Sequence, residues 1–567
     1  MKVGITGLLV RYFLVLLLAV CVTITADSAQ QNGQDASASP VFHASSRLVV
    51  VDVVVTQHDR PVEDLKNSDF NLLEDGKIQK IMAFEPHLAK DRKPLQKLPE
   101  LPPTHFTNFP LVEDSGPVNI VLFDLLNTFA IEQDDAKRQM IQFLKGLPPG
   151  HRLALFVLGN HLQIIQPFTG NTDALIAAAE AMGTHQSSLV TSEDERLTYE
   201  FLVTEQTGPR DDPGGNQARL IEAFNTQIKM QENQRAEKTL QAFTVLTEAV
   251  SGYPGRKNVI WLSTNFPFRF GPQDGFQKIQ DQHYYLKPFQ KVATLMAASQ
   301  IAVYPIDIGG LKTGGPSGVS VPGGVSAKGE LLKAARQASE RWDSQEAMTD
   351  IAVETGGRAY YGTNDFKDMM QQSLQQGENY YTLAYVPENR NWNGNYRKIK
   401  VKVARDGAKL DYRHGYYAVD NTGASRSEAL SLLAPAMRPT VPDSTMLLMR
   451  VQVLPPGQDH KTVTIDYAVA ASEVAFSDGP DHLKHAELDF MAFVWDKEIK
   501  EVTHVVTPVD LNIRDEVYAQ MRRTGVPAHQ ELDLKPGTYF LRVGVVDRQS
   551  QKIGTVSVPL TVTDPGK

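Results

Sequence analysis

The side chains best placed to meet a ligand fall in one short stretch. Val118–Phe123 is a continuous apolar, β-prone run that ends abruptly in Asp124, with Asn127 and Thr128 close behind. A run of this length predicts a strand buried on both faces of a mostly parallel sheet. Open α/β sheets place their ligands just beyond the carboxyl ends of such strands. Asp124, Asn127 and Thr128 would offer oxygen atoms to a ligand at that edge. Asp307, after Ile301–Ile306, and Asn265, after Val259–Leu262, take the equivalent place on two further apolar runs.

The elements needed to position these residues can be read on both sides of the run. Ala136, Met140, Phe143 and Leu144 are spaced for a helix over 134–144, with Asp134 and Asp135 near its positive end. Arg152–Leu158 predicts a second strand, and Leu162–Phe168 a third that returns antiparallel, because only a few residues separate them. Thr172–Met182, Glu330–Trp342, Met348–Glu354 and Asp365–Leu374 read as helices, and Ala359–Tyr361 as a last strand. This alternation predicts an α/β domain over 117–376, a doubly wound, mostly parallel sheet with helices on both faces. Residues 185–235 break the rhythm as an insertion with helical spacing over Ser187–Val203 and Asn216–Met230. It either shapes a surface at the ligand edge or simply decorates it.

The flanks are β-rich. Leu48–Val55, Asp69–Gly76 and Lys77–Phe84 predict a small β module over 42–87, with a hairpin turn at Asp75-Gly76. A Pro- and Lys-rich linker spans 88–116, a three-stranded β extension 377–420, and a further linker 421–443. Short strands separated by turns predict a β-sandwich over 444–563. At the start, Met1–Ala26 has Lys2 and Arg11 ahead of or within an apolar run, the pattern of a signal peptide, with a polar linker over 27–41. Such a leader implies a secreted, periplasmic or cell-surface protein; an uncleaved anchor is the alternative.

Composition excludes a good deal. The formal charge is −9 with no basic run, so nucleic acid and anionic membrane surfaces are not expected partners. Cys21 is the only cysteine and lies in the leader, so no disulfide, cysteine nucleophile or thiolate metal site is expected beyond it. With 567 residues at 42% hydrophobic, the chain can build several cores without such bridges. Phosphate-cradling glycine loops, a Gly-x-Ser-x-Gly elbow, a His-Glu-x-x-His pair and kinase signatures are all missing, so no enzyme is expected. His482 and His485 share a loop but lack a third metal ligand nearby in sequence.

A series of motifs occurs in order: Asp69-Phe70 with Glu74-Asp75-Gly76, Gly255-Arg256-Lys257-Asn258, Tyr304-Pro305-Ile306-Asp307, Thr355-Gly356-Gly357, Tyr380–Tyr385 and Arg413-His414-Gly415-Tyr416. With the Val118–Thr128 stretch, it resembles the von Willebrand factor A-related family of exported acidobacterial proteins, over about residues 42–420. The resemblance implies a cation site after the first strand, at an Asp-x-Ser-x-Ser pattern. Asp124 and Thr128 match that pattern, but Leu126 stands where a hydroxyl belongs. Thr184 and Thr239 are both candidates for a further threonine ligand, and Asn265 replaces the usual Asp. Affinity for Mg²⁺ or Ca²⁺ follows the count of charged oxygen ligands, so the expected site is degenerate and weak, with Asp124 and Thr128 as its metal residues. Asn127, Thr184, Asn265 and Asp307 complete the expected binding edge. The expected function is protein–protein interaction through that edge with an unidentified protein partner. The alternatives are an envelope scaffold with no ligand there and, further off, an unrecognised hydrolase.

Overall fold

The computed structural model describes residues 48–58, 60–91, 101–109, 116–148, 151–184, 187–190, 216–264, 266, 283–310, 342, 344–419, 436–456, 462–479 and 481–563. The chain divides into Met1–Arg47 and Leu48–Lys567, and every described residue belongs to the second unit. The expected signal peptide, Asn265, much of the 185–235 insertion and the helix expected over 330–342 (except Trp342) therefore lie outside the described residues.

The α/β region is built on five strands: β1 (Val118–Asp124), β2 (Leu153–Leu158), β3 (Leu162–Thr169), β4 (Lys257–Ser263) and β5 (Ile301–Asp307). Their order across the sheet is β5-β4-β1-β2-β3. The first four in that order pair in parallel, and β3 returns antiparallel against β2. Every residue of β1, β2, β4 and β5 is buried. Ala359–Tyr361 is reduced to a single parallel bridge between Tyr360 and Ile306.

Side-chain alternation decides what each face meets. Ile120, Leu122, Val259 and Trp261 join one core with α3 (Asn216–Val250), α4 (His283–Ala298) and α5 (344–355). Val121, Phe123, Ile260 and Leu262 join another with α1 (Ala130–Lys145), α2 (Thr172–Ala181) and α6 (Phe366–Gln376). Asn171 and Asp365 cap α2 and α6 by accepting backbone N–H bonds of their first turns.

The helix expected over 216–230 as part of an insertion is instead the outer half of α3, which runs unbroken for 35 residues. No Gly or Pro interrupts 216–250, so nothing in the sequence stops it before Gly252 and Pro254. At 1.5 Å per residue it is about 50 Å long. Only its inner half, from Arg235 onward, is buried.

The expected β module and β extension are one body. Val49–Gln57 pairs with Tyr380–Tyr385 on one side and Lys409–Asp411 on the other. Phe70–Glu74 pairs with Tyr396–Val403. The two sheets so formed share a core. A strand as apolar as Val49–Val55 needs partners on both edges, and they come from more than 300 residues away.

The linker expected over 88–116 also contains a strand, since His105–Thr107 pairs with Met449–Leu454. Asn108, buried beside it, donates to the carbonyls of Ser444 and Leu447 and accepts the Met449 N–H. The C-terminal region has two sheets around a common core, one of them containing this borrowed strand. Val526–Leu532 and a helix, Asp515–Thr524, add to the elements expected there.

Thr445 joins the C-terminal region to α3. Its N–H donates to the Glu248 carbonyl at 2.8 Å, its hydroxyl donates to the Ala249 carbonyl at 3.0 Å, and that hydroxyl accepts the Gly252 N–H at 2.8 Å. A Cβ at Gly252 would sit 2.6 Å from the Thr445 carbonyl oxygen, so only glycine permits this approach. Thr445→Val keeps the shape and strands one donor and one acceptor. It is expected to lower unfolding free energy by about 1–3 kcal/mol in urea titration.

Candidate functional site

Asp124 ends β1 on the same face as Ile120 and Leu122, the face covered by α3. Ser263 and Trp261 lie on that face of the neighbouring β4, at the same alternation. The side chains therefore converge. Asp124 Oδ2 accepts the Trp261 indole N–H at 3.0 Å, the Ser263 hydroxyl at 3.1 Å and the Asn127 side-chain amide at 2.8 Å. Its Oδ1 accepts the Asn127 backbone N–H at 2.9 Å. Asp124 is wholly buried, and burial pushes its carboxyl up to about 6 against the pull of these four bonds.

Trp261 is held edge-on between Phe243 of α3 and Phe266, at centroid distances of 4.9 and 4.5 Å. Its indole N–H is thereby aimed at the carboxylate. Asn127 bridges onward: its amide also donates to Thr239 Oγ1 at 3.0 Å, and that hydroxyl donates to the Arg235 carbonyl at 2.7 Å. The loop after β1 is thus tied to the turn of α3 that begins at Arg235. Thr264 closes it from β4, donating to the Asn127 carbonyl.

The expected edge residues separate on this geometry. Thr239 meets Asn127, whereas Thr184 donates to Asp134 on α1 at 3.0 Å and makes no bond to the Asp124 group. Asp307 lies in register with Ser263, accepts the Gly309 N–H at 2.9 Å, and is nearly buried. Thr128 is fully buried; its carbonyl accepts from Gln133, while its hydroxyl has no partner. A cation approaching Asp124 would have to displace donors from both carboxylate oxygens. His485 bonds to Asp481 and Asn512 in its loop. Among the described residues, no three His, Cys, Asp or Glu side chains gather closely enough to hold a metal.

Trp261, Ser263 and Arg235 are participants that motif reading passes over. The signal for the first two was available: they stand two and zero residues from the end of β4, whose alternate positions share a face with Asp124. Nothing in the spacing points to Arg235.

No family model matches this chain, and no curated protein matches it. Among solved structures, it is similar to an aerotolerance-related membrane protein of Bacteroides fragilis, at 12% identity over 46% of this chain and 98% of the other, TM-score 0.23. It is also similar to BatB of Bacteroides thetaiotaomicron, at 13% identity over 46% and 98%, TM-score 0.20. A third is the von Willebrand factor domain of the type V pilus tip protein Mfa5 of Porphyromonas gingivalis, at 16% identity over 27% and 38%, TM-score 0.14. Superpositions at these scores carry no argument, and the mixed α/β architecture rests on the strand order itself. Among the described residues, no helix is long and apolar enough to cross a membrane.

Proposed function

We propose that this is an exported, non-enzymatic protein-interaction protein that works through the C-terminal edge of a von Willebrand A-like, doubly wound α/β domain, with a β-sandwich as its C-terminal partner. The observation that carries the reading is Ile131. It stands in the first turn of α1, directly after the Asp124–Thr128 loop, and is 81% exposed. In that loop Asp124 and Asn127 are buried and tied to Trp261, Ser263 and Thr239, which suits a preformed docking edge better than a reacting centre. Asp124, held by four donors, serves that edge as an organiser of the loop, and the degenerate Mg²⁺ or Ca²⁺ site has no claim on its oxygens.

Scaffolding is the second reading, favoured by the interlocking of the three regions through Val49–Gln57, His105–Thr107 and Thr445. The two readings separate on one experiment. A photo-crosslinking residue at position 131, with another at Ile499, itself 50% exposed, as control, is introduced into the full chain in its native envelope or culture fraction. A discrete product from 131 alone supports the edge, and Ile131→Glu is expected to weaken that partner at least tenfold while shifting folding stability by no more than about 0.5 kcal/mol. Equal labelling at both positions, or none at 131, removes it and leaves the scaffold.

A further inference from the structure

We propose that Thr382 and Gln300 are joined by an internal ester bond, formed with loss of ammonia and with Asp52 as the base. The bond staples the first β module to the α/β sheet and is independent of the C-terminal edge. The chain has a single cysteine, Cys21, in the expected leader, so no disulfide can close this joint.

The three side chains come from separate elements. Asp52 lies within Val49–Gln57 and is 7% exposed. Thr382 stands opposite it in register on Tyr380–Tyr385, and Gln300 lies in the turn between α4 and β5. The Thr382 hydroxyl donates to Asp52 Oδ1 at 2.7 Å. The Gln300 amide nitrogen donates to the same Oδ1 at 3.1 Å and to Oδ2 at 3.2 Å. A carboxylate only accepts, which fixes the amide with its nitrogen toward Asp52. The Gln300 backbone is pinned as well: its N–H donates to the Ala297 carbonyl, and its carbonyl accepts the Lys257 N–H at 3.0 Å. Its φ is 52°, a left-handed conformation that a glutamine keeps only where the surrounding structure imposes it.

A hydroxyl, a carboxylate and a primary amide in one hydrogen-bonded group are the parts of an acyl transfer. Asp52 Oδ1 takes the Thr382 proton as Oγ1 bonds to Gln300 Cδ. The Cδ–Nε2 bond then breaks, and Oδ1 returns that proton to the nitrogen, which leaves as ammonia. One oxygen serves both transfers because both groups already bond to it. Asp52 is regenerated, and the step needs neither an oxidant nor a cofactor.

The test is tryptic peptide mapping of the full chain by mass spectrometry, with and without alkaline hydroxylamine, which cleaves esters and spares amides. The expected product joins the peptides that hold Gln300 and Thr382, is lighter than the two together by one ammonia, and is split by hydroxylamine. Asp52→Asn and Thr382→Val are each expected to abolish it and return the two peptides separately. Separate peptides alone from the wild-type chain overturn the proposal, whatever the variants do. A link that resists hydroxylamine overturns the ester. One that ends on Lys257, the amine on which the Asp52 charge acts, overturns Thr382 as nucleophile. One that persists in Asp52→Asn overturns the carboxylate as base.

Discussion

Glu74→Ala is expected to destabilise the protein by about 3–5 kcal/mol, the range for removing one partner of a buried ion pair. Glu74 and Arg397 are 3% and 2% exposed and lie 3.3 Å apart. Glu74 also accepts the hydroxyls of Tyr385 at 2.7 Å and Tyr416 at 2.9 Å. Arg397 further donates to the carbonyls of Asn389 and Asn391, both at 2.7 Å. Removing the carboxylate leaves the guanidinium buried beside two tyrosine hydroxyls that have lost their acceptor. Those hydroxyls are held above their ordinary range by burial and by this carboxylate, so they remain neutral donors at any working pH. Arg397→Met is expected to cost as much. The double variant is expected to lose less than the sum, because neither leaves the other's charge behind. Equilibrium urea unfolding of the four proteins decides it, and additive losses would refute the coupling.

The same pair shows why the domain division was only half legible. Glu74 belongs to a motif read as part of an amino-terminal module, and Arg397 to an extension 323 residues later. Apolar alternation identifies each strand, but a strand carries no record of which distant strand completes its hydrogen bonds. The motifs behind the family resemblance prove to be joint residues. Arg256 is buried at the amino end of β4, where it donates to the Tyr304 hydroxyl at 3.1 Å and the Gly356 carbonyl at 2.5 Å, and its N–H meets the Tyr380 hydroxyl at 3.2 Å. A Cβ at Gly357 would collide with the Val303 carbonyl. Gly-Arg-Lys-Asn, Thr-Gly-Gly and the tyrosine-rich strand thus meet at one seam between the α/β sheet and the first β module, opposite the C-terminal edge of the sheet.

At the site, the run into Asp124 located the edge because burial on both faces of a strand requires an unbroken apolar run, and a carboxylate ending it stands out. What surrounds that carboxylate was not legible. Trp261 reads as one more apolar residue of β4, and its indole N–H becomes a ligand of Asp124 only through the parallel register of β4 on β1. Arg235 sits inside a stretch that reads as an insertion, because its helix is polar for five turns before it reaches the sheet.

Asp124 supplies the other large effect, with a pH signature. Asp124→Ala leaves the Trp261, Ser263 and Asn127 donors buried without their acceptor and is expected to cost about 3–5 kcal/mol, several times the 1–3 kcal/mol of one stranded donor being partly relieved by repacking. Asp124→Asn separates charge from shape. The folded carboxyl titrates at about 6 against an ordinary 3.8, so the folded state binds the proton more tightly than the unfolded chain. The stability that this difference confers is complete below pH 3.8 and is lost as pH rises through 6, about 3 kcal/mol in all. Asparagine cannot titrate, and its amide faces the Asn127 N–H donor to donor. Its deficit relative to wild type is therefore expected to be largest at the acid end and to shrink by about 2.4 kcal/mol between pH 4 and pH 7. Urea unfolding of both proteins across that interval measures it, with Mg²⁺ and Ca²⁺ each added in a parallel series. A deficit that stays constant with pH would mean that Asp124 is not the buried, proton-binding group described. A cation that raises the wild-type midpoint and leaves Asp124→Asn unchanged would return the carboxylate to metal binding, since it would then be giving up its four donors for the ion.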